Sequence, residues 1–232
     1  MTAESRPPRA GGSGGGGRGQ TRGSRVLTWS AVVLLVIGLT RILHPQGAAS
    51  EPPAAPNEGE PGGINPAYAA SAAPMSYSLP VHIEVPATGI DADLMSIGLT
   101  ADHSLGVPPL DQAQKAAWYD LGPAPGQAGP AVIDAHVDSL EVRGFHGAFY
   151  NLGSMRPGET IDVTRADHAV AEFTVDYVQE APKASFPTST VYGTVPYAAL
   201  RLITCGGDFD YATHSYTDNT IVYAHLTATR GS

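Results

Sequence analysis

The 232-residue chain contains one cysteine, Cys205, in the stretch RLITCGGDFD (201–210). A lone cysteine cannot close an internal disulfide, so its thiol is either a small buried hydrophobe or a reactive group. Reactivity needs help, because a free thiol ordinarily titrates near 8.5 and only the thiolate attacks. An imidazole can take the thiol proton or hold the thiolate as an ion pair, and can then protonate a leaving amine. His136 lies in PAVIDAHVDS (130–139) and Cys205 closes LRLITC (200–205), so each stands at the end of an expected strand. Two strand ends can meet although 69 positions separate these residues. Spacing alone does not select His136 over His82, His103, His146 or His214. The two glycines after Cys205 would let a substrate backbone approach closely.

The elements that would position these side chains are short. From about residue 76, segments with β-type alternation recur between Pro and Gly punctuation: VHIEV (81–85), AVIDAHV (131–137), ETIDVT (159–164), AEFTVDYV (171–178), LRLITC (200–205) and TIVYAHL (220–226). Only LDQAQKAAWYD (110–120) reads as a short helix. No fixed-period repeat is present. So many short strands must hide their edges, which predicts one all-β domain over 76–229, closed as a barrel with short helices.

The N-terminal third has a different composition. Residues 1–25 are Gly- and Arg-rich and carry nothing that could form a core. VLTWSAVVLLVIGLTRIL (26–43) follows five arginines, which predicts a membrane anchor with the N-terminus cytoplasmic and the remainder outside. The competing reading is a cleaved signal peptide with QGAAS (46–50) as its processing region. Residues 44–75, rich in Pro, Ala, Gly and Glu, read as a disordered stalk. Six of the 13 basic residues but only one of the 22 acidic ones precede residue 44, so the exported part is strongly acidic. That excludes a nucleic-acid partner, since phosphate binding relies on Lys and Arg.

Several smaller patterns carry weaker readings. Asp138 either orients the His136 imidazole or caps a turn. DFD (208–210) and DAD (91–93) lack the full oxygen set of a calcium loop. No compact His/Cys/Asp cluster has zinc-ligand spacing, and neither a metal nor a cofactor is expected.

The pairing of PAVIDAHVDS with LRLITCGGDFD and then SYTDNTIVYAHL (215–226) resembles the sortases, and within them the class E/F sortases of actinobacteria, class F most of all. Three further segments fit in order: LPVHIEVPATGIDADLMSIGL (79–99), WYDLGPAPGQAGPAVI (118–133) and FPTSTVYG (186–193). The resemblance spans roughly residues 79–226. It implies a closed sortase-type β-barrel and a membrane-bound cysteine transpeptidase acting outside the cell. Such an enzyme cuts a Leu-Pro-x-Thr-Gly type signal of secreted proteins between Thr and Gly, forms a thioester, and transfers the acyl group to an amine of a cell-wall precursor. Carried onto this sequence, Cys205 is the nucleophile and His136 the proton donor and acceptor.

Two positions depart from the family pattern. Ala135 stands where glycine is usual before the histidine. Thr217 stands where many relatives carry the arginine that holds substrate or oxyanion, and no arginine falls between 206 and 229. The replacement candidates are Asn219, Thr217, backbone N–H groups after Cys205, and Arg143. Strand parity favours Asn219 as oxyanion or substrate donor, because it faces the same side as Thr217; the competing role is to satisfy backbone at the strand start. Rival functions are a hydrolase that resolves the thioester with water and a non-catalytic module that binds sorting-signal-like peptides.

Overall fold

The computed structural model describes residues 51–59, 65–101 and 104–231. The expected basic tail (1–25), the membrane segment (26–43) and the start of the stalk lie outside these residues, as does His103. Among the described residues no helix is long and apolar enough to cross a membrane.

The described chain forms the strands β1 (Glu58–Gly59), β2 (Pro80–Val85), β3 (Ile90–Ile97), β4 (Ala116–Tyr119), β5 (Gly129–Asp134), β6 (Thr160–Arg165), β7 (Val170–Pro182), β8 (Ala198–Asp210) and β9 (Ser215–Arg230). A five-residue helix, α1 (Thr188–Tyr192), and four short 3-10 turns complete the fold. The strand order β7-β6-β2-β3-β4-β5-β8-β9 closes when β9 pairs back onto β7. Eight strands therefore form an all-β barrel without free edges, which removes the unpaired backbone an open sheet would expose. The two-residue β1 adds to β7 at Val178 and Tyr177, beyond the reach of β6.

Alternation along the strands separates inside from outside. Ile83 and Val85 of β2, Ile161 and Val163 of β6, Phe173 and Val175 of β7, and Leu200 and Leu202 of β8 fill the barrel with Trp118 and Ile133. The alternate positions of β5, β8 and β9 build a second, outer cluster of Val132, Ile203, Ile221 and Tyr223, covered by Val191 of α1. That outer face carries the site.

Two sequence expectations change. The segment 110–120 is not a helix: a 3-10 turn at Leu110–Gln112 leads into β4, which runs parallel to β3 and antiparallel to β5. Its Ala and Gln content favours helix, but Ala116, Ala117 and Trp118 are buried between two strands, and that burial overrides local propensity. The expectation of a disordered stalk over 44–75 does not describe residues 51–59 and 65–75. Asn57 accepts from the Glu180 backbone, Tyr150 donates to Glu51 O, and Tyr68 stacks on His225 at 3.9 Å. The fully buried Arg165 fixes the end of this strap through Ser76 O, Pro125 O and the Asp167 carboxylate.

Candidate active site

β5 and β8 are parallel neighbours, in register from Gly129↔Ala198 to Asp134↔Ile203. Pairing continues past the end of β5, where Ala135 N donates to Ile203 O at 3.2 Å and Thr204 Oγ1 donates to Ala135 O at 2.7 Å. His136 and Cys205 are the next residues on the two strands. Ala135 belongs to the barrel core. Alternation therefore turns Asp134 and His136 to the outer face, where Ile203 and Cys205 also lie. The sheet thus brings thiol and imidazole to adjacent strand ends.

The same parity places Asn219. β9 runs between β8 and β7, and Asn219 is paired with Cys205 on one side and with Ala181 on the other. Asn219 shares its face with Ile221 of the outer cluster, so it flanks Cys205 on the site side of the sheet.

His136 Nε2 lies 2.6 Å from Pro108 O. A carbonyl only accepts, so Nε2 carries the proton and Nδ1 is the nitrogen left to receive one. Three of the other candidate histidines are placed by the described residues. His82 lies between Asp91 and Asp93 at 3.0 and 3.1 Å, and His146 stacks on Tyr150 at 3.6 Å. His214 sits in the β8–β9 turn with φ 51.

The Asp138 carboxylate accepts a hydrogen bond from Tyr216 Oη at Oδ2, 2.5 Å away. Burial, and after it this bond, push the Tyr216 phenol well above its ordinary value. The turn after His136 is held by Ser139, whose Oγ donates to Leu110 O and accepts from Glu141 N. Burial pushes the Cys205 thiol up. The Lys183 ammonium pulls it down, while Asp134 and Asp138 oppose that pull. Asp134 has little water around its carboxyl, although the residue is not wholly enclosed, and desolvation pushes it up to about 8. Burial thus favours the uncharged thiol of Cys205, and Lys183 is the group that acts against it.

The glycines after Cys205 answer to the neighbouring strand. A Cβ at Gly206 would lie 2.6 Å from Thr220 Oγ1, and one at Gly207, at φ +71, would lie 2.6 Å from Asp218 Oδ2. Both let β8 bulge against β9. The proposed substitutes for an arginine divide. Asn219 flanks the thiol, Thr217 is exposed, and Arg143 is exposed on the loop after His136. Arg201 is buried, its guanidinium 4.8 Å from the Tyr223 ring.

Sequence reasoning missed Lys183, Tyr216 and Thr204. Tyr216 lies inside the SYTDN motif and was legible there. Lys183 was visible only once β7 was known to pair with β9. A groove of about 670 Å³ opens on the same side of the sheet, lined by Leu99, Leu105, Tyr119, Val132, Tyr192 and Val195. Burial, and after it the Asp134 carboxylate, push the phenol of the groove residue Tyr192 up. Among the described residues no group of three or more His, Cys, Asp or Glu could hold a metal ion.

Residues 83–227 match the family model of the sortase domain. No curated protein matches the chain significantly. Among solved structures, the chain is similar to sortase A of Listeria monocytogenes at 17% identity, over 67% of this chain and 90% of that one, with a TM-score of 0.47. It is similar to a sortase of Actinomyces oris at 19% identity, over 67% and 84%, with a TM-score of 0.48. It is also similar to a lid mutant of Corynebacterium diphtheriae sortase A at 16% identity, over 66% and 73%, with a TM-score of 0.49. With its family model covering more than half of the sequence, the chain belongs to the sortases, a family of cysteine transpeptidases.

Proposed function

We propose that this sortase is a membrane-anchored transpeptidase of the class F type, acting outside the cell on secreted proteins with a C-terminal Leu-Pro-x-Thr-Gly type signal. The observation that carries this reading is the adjacency of Cys205 and His136 at the parallel ends of β8 and β5. His136 Nδ1 takes the Sγ proton as sulfur adds to the threonine carbonyl carbon. Collapse of the tetrahedral adduct breaks the Thr–Gly bond, and the departing glycine amine takes the proton from the imidazolium. A cell-wall amine then attacks the Cys205 thioester and gives its proton to His136. The new amide forms, and the sulfur is released to recover its proton. Asn219, beside the nucleophile, donates to the oxyanion or to the substrate backbone.

The apolar groove suits the Leu-Pro part of such a signal, since its walls are aliphatic and aromatic. The apolar segment 26–43 would anchor the enzyme with its basic tail in the cytoplasm, or else act as a cleaved export signal.

The test is a library of Leu-Pro-x-Thr-Gly peptides incubated with the 232-residue chain, with and without an oligoglycine or diaminopimelate-type amine. Products are read by mass spectrometry. Cleavage after threonine with amine-dependent transfer supports the transpeptidase. Cleavage with water as the sole acceptor makes it a hydrolase, and binding without turnover makes it a peptide-binding module.

A further inference from the structure

β7 runs on to Pro182, which pairs with Asp218 of β9, and Asp218 pairs on its other side with Gly206 of β8. One pair earlier, Ala181, Asn219 and Cys205 stand in a row across the three strands. Ala181 belongs to the outer cluster, so β-parity turns the next alternate residue, Lys183, to the same face. Lys183 opens a 3-10 turn, and its Nζ donates to Ser215 Oγ at 2.9 Å, which folds the side chain over the end of the β8–β9 hairpin. Thr217, uncharged and exposed, is the β9 residue next to Asp218 at this point.

We propose that Lys183 is the charge partner of the Cys205 thiolate, an ammonium delivered from the end of β7 to a nucleophile at the end of β8. The proposal rests on the reading of Cys205 as the nucleophile. Around the thiol stand Asp134 and His136 from the end of β5, Asp138 from the loop that follows, Tyr216 from β9 and Lys183 from the end of β7. Burial and the two carboxylates all oppose ionisation of the sulfur, and Lys183 is the cation acting against them. When the Sγ proton passes to His136 Nδ1, the negative charge left on sulfur faces an ammonium that keeps its own protons. The thiolate is then stabilised without any further proton transfer.

The test reads the thiol directly, without peptide. In iodoacetamide alkylation the thiolate forms the S–CH2 bond and iodide leaves, so the rate against pH reports the thiolate fraction. In the 232-residue chain, Lys183→Ala and Lys183→Gln should move the midpoint up by about one pH unit, slowing alkylation near neutral pH roughly tenfold. Lys183→Arg should keep the wild-type midpoint. Because the cation is exposed, added salt should narrow the gap between the wild-type and Lys183→Ala midpoints. Unchanged midpoints in Lys183→Ala and Lys183→Gln overturn the proposal. If the midpoint shifts but the wild type turns over no sorting peptide, the ion pair stands and the transpeptidase reading falls. If turnover depends on Cys205 but the midpoint does not move, the reading stands and the ion pair falls.

Discussion

Thr204 Oγ1 donates to Ala135 O at 2.7 Å, joining the residue before Cys205 to the residue before His136. Both residues are buried, at 3% and 2% exposure, so water cannot substitute for either partner. The bond continues the β5–β8 ladder by one side-chain step after the β5 backbone has left the sheet. Thr204→Val keeps the shape and removes the donor. It should destabilise the fold by about 1–3 kcal/mol, the cost of a buried carbonyl left without a partner. Because the same bond sets the spacing of the pair, kcat should fall roughly tenfold or more while KM moves little. Thr204→Ser should restore both. Denaturant melts and steady-state kinetics on the three proteins check this, and a Thr204→Val enzyme with wild-type kcat would show that the bond is structural alone.

Gly207 carries a second prediction. Its φ of +71 is a left-handed conformation, and a Cβ there would meet both Asp218 and Thr217. Gly207→Ala should cost about 1–3 kcal/mol and lower the melting temperature. Gly144 makes the control, because it also has a positive φ (84) but meets nothing within 4 Å. Gly144→Ala should therefore lose less. Equal losses at the two sites would mean that strain, and not crowding by β9, sets the cost.

Asp134 predicts a pH dependence of stability. Its folded carboxyl is raised from 3.8 to about 8 by burial, so folding favours the protonated form. Its stabilising contribution is complete below about pH 4, declines as pH rises, and is lost as pH passes through about 8. Asp134→Asn stays neutral throughout, so its stability relative to wild type should increase from about pH 4 to about pH 8 and then level off. Chemical denaturation at several pH values measures the two curves. Parallel curves would contradict the burial account of this carboxyl.

Much of the barrel was legible because its strands alternate cleanly, as in Ile161-Asp162-Val163 and Phe173-Thr174-Val175, where every second residue enters the core. The pairing of His136 with Cys205 was legible as two strand ends, since each follows an apolar run. What stayed hidden depended on partners. β4 was read as helix because Ala116 and Ala117 favour helix locally, and only burial between β3 and β5 makes them strand. β7 was expected to stop at Val178; it continues to Pro182 because β9 keeps pairing with it, and that extension sets where Lys183 leaves the sheet. The double glycine was read as room for substrate, whereas the side chains of Thr220 and Asp218 are what exclude a Cβ there. Residues 51–59 and 65–75 looked like a linker by composition. Their order comes from long-range contacts such as Asn57 with Glu180 and Tyr68 with His225.

The central claim is that Cys205, served by His136, forms an acyl thioester. The most direct measurement is the intact mass of the 232-residue chain after brief reaction with a Leu-Pro-x-Thr-Gly peptide and acid quench. Wild type should gain the mass of the peptide acyl part up to threonine, lose it on addition of an amine, and show the adduct on the peptide containing Cys205. Cys205→Ala should gain nothing, and His136→Ala should acylate at least a hundredfold more slowly, the loss expected for a missing general base. Peptide cleavage that persists in Cys205→Ala, or an adduct on any other residue, would contradict the account.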